Sequence, residues 1–197
     1  MKYTKIPAST FQQLAMNAGI IAKAFTPGTG TLSDSDILGA TSGGLTVTAV
    51  PEYQDMGDDI DNCPKNTKEL KKITGWTITA SGTFVTVTAD AAKQLLAAAD
   101  ASSGKITPRM DLDPTASTGD FGDIWIVGDY SDKNGATNGG FVACHIINAL
   151  STGGFSYVSG DKEKAKFAFE FTGHVSINTP DTVPFELYVQ AGTAEPT

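Results

Sequence analysis

Few residues in this chain have the chemistry of a metal ligand or a catalytic base. The 197 residues include two histidines, His145 and His174, and two cysteines, Cys63 and Cys144. A structural zinc site needs four such ligands to converge, but Cys144 and His145 are adjacent and would point to opposite faces of a strand. His174 falls on the polar face of a predicted strand, where we expect a solvated imidazole. We therefore predict no metal-binding and no catalytic residues.

Phosphate-binding and nucleophile motifs are also missing from the sequence. Gly28-Thr29-Gly30 lacks the third glycine of a dinucleotide fingerprint and does not follow a predicted strand. The segment 39–43 has the glycine spacing of a nucleophile elbow, but Thr41 stands at its centre. A glycine turn before a strand is the better interpretation.

Carboxylates are far more numerous than histidines and cysteines, with 22 Asp+Glu, and calcium favours oxygen-rich loops. The order of an EF-hand fails here, because counting from Asp59 places Cys63 at the fifth position and Pro64 at the sixth. A solvated acidic loop is the preferred interpretation, and calcium binding is left open. A glycosidase with two paired carboxylates also stays open, since any two acids can meet in space.

Composition excludes several other classes of partner. The chain has 14 Lys+Arg against 22 Asp+Glu, a net charge of −8 and a pI near 4.6. An acidic surface is a poor ligand for nucleic-acid phosphates and for anionic membranes. No apolar run is long enough to span a membrane, and the N-terminus lacks an apolar signal core. We therefore expect no export by that route and, as a consequence, free thiols at both cysteines.

The elements that position these residues are predicted to be mainly strands. Runs rich in β-branched residues or alternating in polarity occur at 45–53, 76–88, 124–127, 141–150 and 183–189. The clearest alternation covers 164–178, with one buried and one wet face. Asn134-Gly135 favours a hairpin turn within the polar stretch 129–140.

Helical signals are fewer. An alanine- and leucine-rich helix is predicted over 89–100, capped by Thr88 or Asp90 and ended by the segment 102–104. A second helix could run from Ser9 or Thr10 to about Phe25, although Gly19 weakens it and a strand is possible there. These elements predict a mainly β fold: an antiparallel β-sandwich or barrel of about eight strands with one flanking α-helix. We expect one domain over 1–197, with an N-terminal arm (1–44), a core (45–189) and a C-terminal tail (190–197).

A long polar connection, residues 51–74, is predicted between the first two strands of the core. Its first part carries five carboxylates, and its second part carries four lysines and one glutamate. Asn66 followed by Glu69 favours a short helical turn ending near Ile73. The acidic part of one copy can face the basic part of another, so we predict an assembly interface at Asp55, Asp58, Asp59, Asp61, Lys65, Lys68, Lys71 and Lys72. A solvated loop with internal pairing is the alternative.

The sequence also resembles the major tail proteins of long-tailed bacteriophages. The resemblance runs from about residue 37 to 189 and rests on dispersed stretches: ILGATSGG (37–44), DIDNCPKNTKEL (59–70), SGTFVTV (81–87), DIW (123–125), VGDYSDKNG (127–135) and NALSTGGF (148–155). The N-terminal arm and the last eight residues contribute little to it.

This resemblance implies a structural virion protein, located in the phage tail and in the host cytoplasm during assembly. It implies homo-hexameric rings stacked into a tail tube, and a β-sandwich in which a long interstrand loop and terminal arms bind neighbouring rings. It also implies the tape measure, tail terminator and distal tail proteins as partners, DNA passing through the lumen without specific binding, and no cofactor. The alternative function is a lectin-like carbohydrate-binding β-sandwich.

Overall fold

A computed structural model describes residues 6–115, 119–130 and 139–192. Within these ranges the chain is mainly β, which confirms the predicted fold class. Nine strands are present: β1 (Ala15–Ala22), β2 (Thr41–Asp55), β3 (Lys71–Phe84), β4 (Ala99–Ser102), β5 (Lys105–Pro108), β6 (Gly122–Tyr130), β7 (Gly140–Ser151), β8 (Phe167–Gly173) and β9 (Phe185–Gln190). One α-helix, α1 (Ala89–Leu95), and 3-10 turns at Ala8–Gln13, Asp34–Asp36 and Lys68–Leu70 complete the set. The predicted turn at Asn134-Gly135 lies outside the described residues.

The main sheet is antiparallel and divides at β7. Its strand order is β1-β6-β7-β8-β3-β2. On the edge of β7 away from β6, residues 141–146 pair with β9, whereas residues 149–151 pair with β8. Because one strand changes partner along its length, the sheet separates into two diverging halves, β1-β6-β7-β9 and β8-β3-β2, which is how a sandwich forms. Strands β4 and β5 form a separate hairpin.

The main core lies between these two halves. Phe84, Phe169, Ile78, Ile124 and Ile146 are among the buried side chains that fill it. The rings of Phe84 and Phe169 stack with centroids 4.3 Å apart. A second cluster, of Phe25, Trp125, Phe141 and Ala143, covers the opposite face of the β6–β7 half.

The N-terminal region differs from its predicted helix. Residues 15–22, assigned to the arm, are strand β1, which pairs with β6 and places Ile21 in the core. Asn17 and Gly19 take positive φ angles of 70° and 73°, which no α-helix contains. The strand alternative was therefore the right one for this segment.

Helix α1 is confirmed at its start and is shorter than predicted at its end. The Thr88 side chain accepts a hydrogen bond from the Ala91 amide, which caps the first turn. Ala97 then adopts a φ of 59°, which ends the helix and allows Ala99 to enter β4 fully buried. The segment 102–104, predicted as the helix end, instead forms the turn of the β4–β5 hairpin. No helix among the described residues is long and apolar enough to span a membrane.

Replacing Thr88 with Ala is expected to lower the free energy of unfolding by about 1 kcal/mol, because one helix amide loses its acceptor. Chemical denaturation followed by circular dichroism measures the change. Thr88→Ser keeps the acceptor oxygen and should restore most of the loss. Equal losses in both variants would show that the methyl packing of Thr88, and not its cap, matters.

Two predicted strands differ most from their observed ranges. The alternation of 164–178 forms a strand only over Phe167–Gly173, whose Phe167, Phe169 and Phe171 are buried. The strand ends where a Cβ on Gly173 would approach Ile146 Cγ2 to 2.9 Å. Strand β3 begins at Lys71 and ends at Phe84, so the predicted range of 76–88 was displaced toward the C-terminus.

Candidate assembly surface

The connection predicted over 51–74 is largely a β-hairpin that projects from the sheet. Strands β2 and β3 pair from Thr41↔Phe84 out to Asp55↔Lys71, which shortens the true loop to residues 56–70. Strand β8 covers β3 only along 79–84. The segments 49–55 and 71–78 therefore form a two-stranded extension, the projecting hairpin, to which no other described strand is hydrogen-bonded.

One face of the projecting hairpin continues the face that packs into the core. Val47 and Ala49 on β2 and Ala80 and Ile78 on β3 lie on that face and contact the core. The next residues on the same face are Pro51, Trp76, Tyr53 and Ile73, which we call the apolar stripe. In the stripe Tyr53 is 58% exposed, Ile73 47% and Trp76 36%. Core-type side chains therefore extend beyond the part of the sheet that the molecule itself covers.

The opposite face of the hairpin is polar and internally bonded. The hydroxyl groups of Thr48 and Thr79 lie 2.5 Å apart, and Thr77 Oγ1 donates to Glu52 Oε1 at 2.8 Å. Among the cross-strand partners on this face, Val50 is the large apolar side chain. The hairpin is thus amphipathic, and the apolar stripe is the face on which large apolar side chains stay exposed to solvent.

Residues 56–70, the tip loop, are held by their own contacts. The Asp55 carboxylate accepts from the amides of Gly57 (3.0 Å) and Asn66 (3.2 Å). A Cβ on Gly57 would lie 3.0 Å from both Cys63 Sγ and Leu70 Cδ1, so these side chains pack closely against the backbone of the loop. The loop is therefore preorganised and loses little conformational entropy when it binds a partner.

The predicted interface residues separate into two roles. Asp55 braces the loop as described, and Lys71 Nζ donates to Asn66 Oδ1 at 2.9 Å and lies 5.8 Å from the centre of the Tyr53 ring. Lys68 lies 3.4 Å from its neighbour Glu69. The remaining predicted residues are exposed: Asp58, Asp59, Asp61, Lys65 and Lys72. The structure thus gathers all eight residues at one end of the hairpin. The predicted short helical turn is a 3-10 turn, with Thr67 and not Asn66 at its N-cap position.

The apolar stripe was missed because residues 51–74 were predicted to be a long connection between strands and not part of a paired hairpin. The signal was present in the sequence. The alternation of Val47 and Ala49 continues through Pro51 to Tyr53, and Ile78 continues back through Trp76. A bulge between Glu52 and Tyr53 shifts the register and breaks the simple period of two.

A second uncovered part of the core face lies on β9. Leu187 and Val189 pair with Cys144 and Val142 of β7 and are more than half exposed. β9 bonds to β7 alone among the described strands, so its other edge presents free backbone groups. Strand β2 likewise ends the sheet on the other side.

The histidines and cysteines lie in separate places in the described part of the chain. No three His, Cys, Asp or Glu side chains there gather as metal ligands. Cys63 and Cys144 are both free thiols, as predicted, and burial raises the pKa of Cys144. His174 follows β8, where its ring contacts the edge of Phe121 and its Nδ1 lies 3.3 Å from the Asn148 carbonyl oxygen. It is partly buried, not on a wet strand face as predicted.

Comparison with known proteins gives only distant likenesses, and these are to solved structures. No family model and no curated protein matches the chain. Among solved structures, a chain of the virion of a native gene transfer agent (GTA) particle is similar to 90% of this chain and 100% of its own length. The identity is 12% and the TM-score 0.42, values too low to assign a family.

Proposed function

We propose that this chain is a self-assembling structural subunit of a phage tail, forming stacked hexameric rings that make the tail tube, a conduit for genome delivery. The observation that carries the proposal is the apolar stripe, a core-type surface on a projecting hairpin. The sequence resemblance to major tail proteins supplies the ring and tube as the form of the assembly.

A second copy of the chain is the occupant that the stripe fits best. The tip loop beside the stripe carries Asp58, Asp59 and Asp61 on one part and Lys65 and Lys68 on the next, all exposed. When two copies are shifted relative to each other along the surface, the acidic part of one copy faces the basic part of the other. A surface that holds both charge signs side by side is therefore complementary to a second copy of itself. Head-to-tail contact between unlike surfaces produces rings or open stacks, and a tube needs both.

The free strand edges support lateral contacts in the same assembly. An uncovered edge with exposed Leu187 and Val189 is an aggregation risk in a monomer, and addition of a neighbouring strand removes that risk. A net charge of −8 also suits a DNA conduit, because like charge prevents the phosphate contacts that slow passage.

Charge exchange in the tip loop tests self-complementarity. Asp58→Lys/Asp59→Lys/Asp61→Lys makes the exposed loop basic. Lys65→Glu/Lys68→Glu in the loop, combined with Lys72→Glu beside it on β3, makes this end of the hairpin acidic. Each variant alone should assemble only at higher concentration than the unmodified chain, because exposed ion pairs contribute about 0.2–1 kcal/mol each. An equimolar mixture should recover assembly, and added salt should reduce that recovery. Light scattering and negative-stain microscopy measure both effects.

Asp55 and Lys71 stay unchanged in both variants because they brace the loop. As matched controls, the charge-reversed aspartates are replaced with Asn and the charge-reversed lysines with Gln. These variants lose each charge without reversing it. If the mixture assembles no better than either variant alone, the two halves of the loop do not meet between copies.

The carbohydrate-binding alternative gains one observation, since Tyr53 and Trp76 expose aromatic rings on one face of adjacent strands. Such rings can stack on sugars as well as on protein. Retention of the chain as a monomer on a glycan column, with loss of retention in Trp76→Thr, would favour that function over assembly.

A further inference from the structure

His145 occupies an unusual position between two carboxylates on neighbouring strands. It lies on β7, on the sheet face away from the main core, while Cys144 before it packs toward that core. Its Nδ1 is 2.9 Å from Glu186 Oε2 on β9, and its Nε2 is 3.1 Å from Asp123 Oδ2 on β6. The imidazole therefore connects three strands in one line across the sheet.

This geometry fits the protonated ring. A neutral imidazole has one N–H donor and one lone pair, so one of its nitrogens would face a carboxylate oxygen with no proton between them. The imidazolium donates to both carboxylates and balances part of their charge. The ring is also stacked on the Trp125 indole, with centroids 3.9 Å apart and planes 7° from parallel, a contact that favours a cation.

The surrounding groups hold the two carboxylates in place. Glu186 accepts hydrogen bonds from His145 and from the Tyr188 hydroxyl (2.7 Å), and these hold the pKa of Glu186 below its usual range. The same bond to Glu186 raises the pKa of Tyr188. Asp123 Oδ1 accepts from the Asn148 amide at 3.1 Å. In the described ranges, Asp123, Glu186 and, through Glu186, Tyr188 are the titratable groups at this site.

Strand β9 has few other attachments. It is six residues long, and it pairs with β7 alone among the described strands. We propose that His145 is a pH-sensitive clasp that fastens β9 to the sheet. When the ring is protonated it links β9 to β6 across β7, and when it loses its proton one of the two links is lost.

The direction of the pH effect follows from the charges. The clasp needs an ionised Asp123 and Glu186 and a protonated His145, a combination present above the ordinary carboxyl range near about pH 4 and below the range where histidine deprotonates. Its contribution is therefore full at mildly acidic pH. It is lost at alkaline pH, because a neutral imidazole has one N–H and can donate only one of the two hydrogen bonds.

Hydrogen exchange of the intact chain, read by mass spectrometry and corrected for intrinsic rates, tests the clasp. At pH 5.5, His145→Gln should lower the protection of the β9 amides about tenfold, the loss expected for a hydrogen bond to a charged partner. At pH 8.5 the variant and the unmodified chain should agree within about twofold, since neither then has the second link. His174→Gln is the matched control, because it removes a histidine with no carboxylate partner and should leave β9 unchanged at both pH values.

A double-mutant cycle isolates the pair from general effects on folding. His145→Gln and Glu186→Gln should be coupled at pH 5.5 and independent at pH 8.5. If His145→Gln does not fold, the unmodified chain alone tests the proposal. Strand β3 is the reference, because its inner half contacts no titratable group of the clasp. The protection of the β9 amides relative to those of β3 should fall when the pH is raised from 5.5 to 8.5. The proposal is overturned by equal losses at both pH values, by no loss at pH 5.5, or by a pH-independent β9.

Discussion

Replacing Tyr53 and Trp76 together with Thr is expected to leave a folded chain that no longer forms tubes. Both side chains belong to the apolar stripe, and Tyr53 is 58% and Trp76 36% exposed in the single chain, so both present apolar surface that the chain itself covers only in part. Threonine keeps the strand propensity of the hairpin. Burial of a large apolar side chain contributes about 1.5–3 kcal/mol, and each factor of ten in affinity requires about 1.4 kcal/mol.

The effect is multiplied by the geometry of the proposed assembly. Every subunit of a ring contributes one such contact to the next ring, so a modest loss at each contact removes stacking at any practical concentration. Size-exclusion chromatography and negative-stain microscopy give the assembly state, and circular dichroism checks the fold.

Val50→Thr is the matched control for this double variant. Val50 lies on the same hairpin but on its polar face, and it is 54% exposed, comparable with Tyr53. Tubes should therefore form normally from Val50→Thr. If the double variant also forms normal tubes, the apolar stripe is not an assembly surface, and if both variants fail, the hairpin matters only as a whole.

Truncation of Phe84 to Ala is expected to produce the largest loss of stability, about 3–5 kcal/mol in the free energy of unfolding. Phe84 is 1% exposed and stacks on Phe169 in the main core. It is also the last residue of β3, where it pairs with both Thr41 and Phe167. The cavity would open at the junction of three strands, where the surroundings cannot easily collapse.

Urea denaturation followed by circular dichroism measures this loss. Val87→Ala, three residues further on at a 43% exposed position, provides the control and should change the free energy of unfolding by less than about 0.5 kcal/mol. A loss below about 1 kcal/mol for Phe84→Ala would mean that the core described around Phe84 and Phe169 is not the main one.

The sequence predicted those elements whose pattern is local. The alternation around Phe167, Phe169 and Phe171 needs no partner to be recognised, and Thr88 before an alanine-rich segment is a sufficient helix start. The ends were harder to predict. Helix α1 ends shortly before Ala99, which is buried in β4. Strand β8 ends at Gly173, which lies close to Ile146. Both ends depend on contacts with residues that are distant in the chain.

The N-terminal segment shows the same limit more strongly. Phe25 and Ile21 recur at a spacing that a helix would also use, but they serve two different clusters on opposite faces of the β6–β7 half. Only the pairing of β1 with β6 separates these roles. Gly19, which weakened the helical interpretation, has a positive φ and lies at the register irregularity between Met16 and Ile20 in β1.

At the candidate site the charges were predictable, and the apolar stripe was not recognised. Asp58, Asp59, Asp61 and the lysines are visible as a run in the sequence. The importance of Tyr53, Ile73 and Trp76 depends on knowing where the rest of the sheet stops, because the same residues would be ordinary core if β8 extended farther along β3. Exposure is a property of the whole fold, and no local pattern contains it.

The most direct test of self-assembly is negative-stain electron microscopy of the purified, unmodified chain over a range of concentrations, with its mass in solution measured in parallel. The account predicts six-fold rings that stack end to end into hollow tubes as the concentration rises. A chain that stays a single particle at the highest attainable concentration, with the Trp76 side chain still exposed to solvent quenchers, would contradict it.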